Sequence, residues 1–165
     1  MNLIILVAVF LSFTTIGIII WYRYHTRKVY FDNLLSFCNH LLVEINFSKN
    51  TVMTVIQRYQ SAYSQAFKET ITSYAGLLES KSDITRQSTQ SIMWKQLKVQ
   101  EADTIADFLT ELGRHGSTQE TEKIENKKIH FLTFQKNAED QLRTKASIYL
   151  KICIILGVAA VILLI

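Results

Sequence analysis

The sequence predicts an all-α membrane protein, an antiparallel bundle of about six helices held between an N-terminal and a C-terminal transmembrane helix. Three observations predict it. Proline is absent and only five glycines occur in 165 residues, so the tight turns of β-hairpins are scarce and helices are favoured. Apolar residues recur at i, i+3, i+4 and i+7 through the middle of the chain, and no strand-like alternation persists beyond four residues. Each end of the chain is an apolar run, about one bilayer thickness of helix at the N-terminus and shorter at the C-terminus.

Residues 1–22 carry no charged side chain. A cleaved signal peptide would place Lys or Arg before the apolar core. Here Arg23, Arg27 and Lys28 follow it, and Trp21 and Tyr22 read as an aromatic belt at the headgroups. A retained anchor is therefore expected over 1–22. The helical body is expected over 23–145 and a second anchor over 146–165.

Within the body, Phe31, Leu34, Leu35, Cys38, Leu41, Leu42 and Ile45 form a wide helical stripe, and residues 46–50 are polar and turn-like. Thr51 is placed to cap a second helix with Val52, Val55, Ile56, Tyr59 and Tyr63 on one face. Phe67, Ile71, Tyr74 and Leu78 mark a third helix that ends within 79–82. Residues 83–93, rich in Ser, Thr and Gln, make a short fourth. Ala102, Ile105, Phe108, Leu109 and Leu112 mark a fifth over 97–112. Gly113 stands where a left-handed helix cap belongs. Ser117 with Glu120 reads as the capping box of a last helix that continues into the membrane, with Ile124, Phe131 and Ala138 at heptad spacing. Past Arg143 and Lys145 its polar face disappears. Lys151 is expected to snorkel back to the headgroups.

The net charge of +4 resides at the membrane edges. Arg23, Arg27, Lys28, Arg143, Lys145 and Lys151 flank the two apolar runs, while the other 12 basic residues face all 14 acidic ones. That distribution argues against nucleic acid as a partner. It places the body in the cytoplasm and both termini outside by the positive-inside rule, with membrane lipids as one partner. Cys38 and Cys153 form no spacing motif and read as reduced, buried thiols.

Candidate chemistry is sparse. His25, His40, His115 and His130 stand in four separate segments without a second histidine or cysteine at i+3 or i+4. No phosphate loop, nucleophile elbow or dinucleotide fingerprint occurs. The reading is of no catalytic residue, no metal, no cofactor and no small-molecule substrate. Glu101, Asp103, Asp107 and Glu111 spread around a helix, the last three as a solvated ridge suited to a basic partner. The turn at Gly113, Arg114 and Gly116, with Glu120 beyond it, is the other candidate docking surface. Self-association stays open. A two-anchor sensory or signalling protein with a helical ligand-binding domain is the rival class, and it requires the opposite topology.

The run Phe108, Leu109, Thr110, Glu111, Leu112, Gly113, then Ile124 eleven residues on, then Leu156, Gly157, Val161, Ile162, Leu163 and Leu164, resembles the stage III sporulation protein AB family. The likeness covers nearly the whole length, and Glu44 and Ile45 before Phe47 also fit. The family's usual Pro near Thr51, Gly at Leu109, Asp at Gly116 and Gln at Glu120 are not kept. The resemblance implies a non-catalytic membrane protein of the mother cell in endospore-forming bacteria, part of the channel that links mother cell and forespore. It also implies a likeness to the F-type inner-membrane platform proteins of type II secretion. A hexameric ATPase of the stage III sporulation protein AA type and other channel proteins would then be its partners.

Overall fold

The computed structural model describes residues 2–48, 51–80, 84–113 and 117–164. The described residues form seven α-helices in order: α1 (Asn2–Val43), α2 (Val52–Tyr59), α3 (Gln65–Glu79), α4 (Arg86–Ser91), α5 (Val99–Glu111), α6 (Ser117–Gln141) and α7 (Ser147–Leu164). Among the described residues there is no strand. The chain divides into two units, one of residues 1–28 with 136–165 and one of residues 29–135.

The first unit is a helical hairpin. Contacts pair Gly17 with Leu150 and Cys153, Gly157 with Phe10 and Phe13, and Arg27 with Gln141. Numbers fall on one segment as they rise on the other, so the two segments are antiparallel. The glycines permit this approach. A Cβ on Gly17 would stand 3.0 Å from Cys153 Cβ, and one on Gly157 3.2 Å from the Phe10 ring. Small residues at a helix crossing allow such contact where no water drives association. The helices running Ile4–Asn46 and Gln119–Leu163 are long and apolar enough to cross a membrane. Only 6 % and 11 % of their most apolar windows are buried, whereas the core helix of a soluble protein would be covered. Ile4, Ile18, Ile155, Ile162 and Leu163 all face outward. These two helices mark a membrane protein.

The second unit packs around the C-terminal half of α1. Phe31, Leu34, Cys38 and Leu41 of the predicted stripe are at most 1 % exposed and Leu35 is buried, Tyr30 and Phe37 join them at 0 %, and Leu42 and Ile45 are only half-buried. Tyr30 sits edge-on to Phe67 of α3 and flat against Trp94, and its hydroxyl donates to Thr70 Oγ1. On the α6 side, Phe31 meets Phe134 and Gln135 donates to Asp32 at 2.8 Å. Tyr74 of α3 donates to the carbonyl of Leu109 in α5 at 2.8 Å, and Phe108 meets Phe131 of α6 edge-on. Buried aromatic pairs of this kind add about 0.5–1.5 kcal/mol each beyond their area.

Several local expectations hold. Thr51 is extended and its side chain accepts from Thr54 N, and Gly113 takes φ +81°. Others are corrected. Residues 46–48 do not form a turn, because α1 continues into a π-helical stretch, Glu44–Ser48. Tyr63 lies past the end of α2 in an extended conformation, yet its ring is buried against Phe37 and Phe67. The fourth helix shortens to Arg86–Ser91, capped by Thr85. Cys153 is only half-buried. Residues 81–83 and 114–116 lie outside the described residues.

A second π-helical stretch, Leu142–Ala146, joins α6 to α7. Ile124, Phe131 and Ala138 are 0, 0 and 1 % exposed, and the next heptad position is Lys145. A π turn inserts one residue. Ala146, fully buried, takes the slot and Lys145 stays exposed.

Gly17→Leu or Gly157→Leu should destabilise the hairpin by about 1–3 kcal/mol through overpacking. Gly76→Ala, where no heavy atom lies within 4 Å, should stabilise by about 0.5–1 kcal/mol. Thermal melts of the full chain in nanodiscs check both signs.

Candidate functional site

Each end of α5 is fastened by a buried carboxylate. Glu101 stands in the first turn of α5, where a negative charge suits the helix dipole, and its Oε2 accepts from Lys98 N at 3.1 Å. At the other end of α5, the Leu112 amide closes back on Phe108 O at 3.1 Å. Leu112, extended with ψ 130°, turns the Gly113 amide away from the helix, and the positive φ of Gly113 redirects the chain beyond it. That amide donates to Glu120 Oε1 at 2.7 Å. Glu120, expected to complete a capping box with Ser117, thus reaches back to fasten the end of α5, while the Ser117 side chain lies outside the described residues. Glu120 is 4 % exposed. Its second oxygen, Oε2, is buried and has no hydrogen-bond partner among the described residues.

Beside it lies a cleft of about 210 Å³ open to solvent. Its floor is Phe108, Leu112 and Ile124, its walls include Glu111 and Glu120, and Lys123 and Lys127 stand at the edge. Lys123 reaches Glu111 at 3.7 Å. The 210 Å³ includes open solvent and the enclosed part is about 10 Å³, so a long side chain enters only where the surrounding side chains move apart.

The remaining predicted docking residues are placed as follows. Asp103 and Asp107 face Arg86 of α4 at 3.9 and 2.9 Å, and Gln90 donates to Asp103 at 2.6 Å. The ridge on α5 therefore has its charge met from within the fold. Arg114 and Gly116 lie outside the described residues. Of the expected membrane-edge residues, Trp21, Tyr22, Arg23, Arg143, Lys145 and Lys151 are exposed and Lys28 is half-buried. Arg143 also pairs with Glu139 at 2.6 Å. Arg27 differs: it is only 7 % exposed and donates to Gln141 at 2.8 Å.

A second polar cluster escaped the sequence reading. His40 stacks on Tyr59 at 3.9 Å between ring centroids, and its Nδ1 lies 2.7 Å from the Tyr63 hydroxyl. Glu44, buried one turn on, pairs with Arg58 and accepts from the Tyr59 hydroxyl at 3.0 Å. The i, i+4 spacing of His40 and Glu44 was the available signal. Burial holds the His40 pKa below its ordinary value, against the opposing pull of Glu44. Burial also pushes the Cys38 thiol up to about 12, so it stays protonated and unreactive.

The chain matches the protein-family model described as Stage III sporulation protein AB over residues 2–165. No curated protein and no solved structure matches it.

Because the folded state favours neutral His40, its contribution to stability is complete above pH ~6.5 and is lost as pH falls toward the depressed value. Melting temperature should therefore drop on acidification from pH 7 to 5. His40→Gln, which keeps a partner for Tyr63 without a titration, should flatten that drop when the two pH series are compared.

Proposed function

The chain belongs to the stage III sporulation protein AB family, which supports a role in sporulation, and we propose that it acts there as a non-catalytic membrane platform. In this role it couples a cytoplasmic ATPase of the stage III sporulation protein AA type to the membrane components of a secretion-like channel between mother cell and forespore. The observation that carries the reading is the helix that runs without a break from Gln119 to Leu163. It begins beside the cleft at Glu120 and ends as an apolar span. In this proposal a displacement at its N-terminal end is carried along the helix, which rises about 1.5 Å per residue, to the apolar span.

The proposed arrangement has residues 1–22 and 146–165 in the bilayer, 23–145 in the cytoplasm of the mother cell and both termini outside. The exposed basic residues Arg23, Arg143, Lys145 and Lys151 at the ends of the apolar runs support it through the positive-inside rule. They would sit at the cytoplasmic headgroups.

Two experiments test this. A single reporter cysteine at the exposed Glu79, in a chain with Cys38 and Cys153 replaced by Ala, should resist a membrane-impermeant thiol reagent in intact cells and react after lysis. Reaction in intact cells would instead favour the outward-facing sensor. Inserting two glycines after Asn137, which costs about 1 kcal/mol each in helix stability and breaks the rod, should abolish channel-dependent transport while the protein still reaches the membrane. Transport at the normal level would remove rigid coupling from the reading.

A further inference from the structure

Three carboxylates among the described residues of the second unit are buried, and each poses the same physical question. A carboxylate accepts at about four lone-pair sites and donates none when ionised. Shut from water, every oxygen left without a donor costs free energy. Glu44 takes Arg58 and the Tyr59 hydroxyl on Oε1 and Glu101 takes the Lys98 amide on Oε2, and among the described residues neither keeps a buried oxygen without a partner. Glu120 differs. Oε1 takes the Gly113 amide, and Oε2 takes nothing among the described residues.

We propose that Glu120 Oε2 is the seat of an arginine side chain donated by a partner protein, inserted into the cleft between α5 and α6. This deepens the platform reading and rests on it for the partner being a protein. The chemistry of the cleft selects the occupant. The oxygen needs a donor, and a charged donor to a buried carboxylate makes the stronger bond. The floor of Phe108, Leu112 and Ile124 is apolar and suits the aliphatic stem of a long basic side chain. Glu111 stands on the same cleft, 3.7 Å from Lys123. A guanidinium, planar and forked, has donors enough for both carboxylates, where an ammonium offers a compact point charge. Lys123 and Lys127 at the edge oppose entry of a cation, so binding requires these long side chains to swing outward. That repulsion sets a test of its own.

The Gly113 amide is a built-in reporter, since it donates to the other oxygen of the same carboxylate. The full chain in nanodiscs, 15N-labelled, would be titrated with N-acetyl-arginine amide, and in parallel with the lysine and citrulline analogues. Citrulline keeps the shape of arginine without its charge. Arginine amide should give a saturable shift of the Gly113 resonance. The lysine and citrulline analogues should bind at least ~10-fold more weakly, the ratio expected from losing a charge-assisted hydrogen bond. Glu120→Gln keeps an acceptor for Gly113 and so keeps the fold. It should abolish the arginine response with the melting temperature unchanged or raised. Lys127→Met should tighten arginine binding by roughly 2–5-fold, as loss of a like charge near the surface allows. No saturable shift up to tens of millimolar, or equal responses to arginine and citrulline, overturns the proposal, and the first of these is the result expected if solvent serves Oε2. A response that survives in Glu120→Gln also overturns it. None of these readouts uses the ATPase. Failure here leaves the platform reading standing, and failure of transport or topology tests leaves the arginine seat standing.

Discussion

A helix that packs against protein in water and against another helix in lipid must keep one stripe turned inward along its whole length. An α-helix drifts by about 20° per heptad relative to a strict seven-residue repeat, so a long seam cannot be held by sequence spacing alone. In α6 the seam Ile124, Phe131, Ala138 is fully buried, and the next position in register is a lysine. The π-helical stretch Leu142–Ala146 resolves the conflict by admitting one extra residue. Ala146 goes inward and Lys145 outward. The small side chain at that slot also suits the close packing that Gly17 and Gly157 permit further along the hairpin.

The same logic accounts for the end of α1. Its stripe is buried from Tyr30 to Leu41, and the helix then widens into a π turn at Glu44–Ser48. Glu44 is drawn into the interior there, where Arg58 and Tyr59 satisfy it. Glu44 is buried while the Arg58 side chain is 51 % exposed, so the pair buries one charge, and that charge is costly to leave without its donor. The pair therefore specifies how the end of α1 meets α2. His40, stacked on Tyr59 and facing Tyr63, extends the same joint. The polar groups that fix the geometry of this unit thus cluster at helix ends, while its middle is held by aromatic packing.

How much of this was legible in the residues follows from what each feature depends on. The heptad of α6, the stripe of α1, the Thr51 cap and the left-handed Gly113 are local properties, set by side-chain periodicity or by backbone sterics within a few residues. They were readable, as were the two apolar spans. The π turns were not, because they have no local preference and arise where two seams of different register must join. The continuity of α1 through Arg23–Lys28 was hidden by the change of solvent, which interrupts apolar periodicity without interrupting the helix. Tyr63 sat at helical spacing by coincidence and is buried from an extended segment. The ridge of Asp103 and Asp107 looked solvated because its partner Arg86 lies in α4, a helix of six residues with almost no apolar signal.

Glu120 was named from sequence for a different reason from the one its surroundings give. Its spacing from Ser117 suggested a local cap, a purely structural duty. Its contact across the turn to the Gly113 amide makes it instead the fastening between α5 and α6. A glutamine would make that contact as well, since a single neutral acceptor is all the amide requires. The charge is therefore surplus to the turn. Its second oxygen is closed from solvent, where that surplus is most expensive. Glu44 and Glu101 show that this fold supplies donors to buried carboxylates where structure alone is at stake. An oxygen with no donor among the described residues, beside an apolar-lined cleft at the start of a long helix, is the feature of this unit that its own packing does not account for.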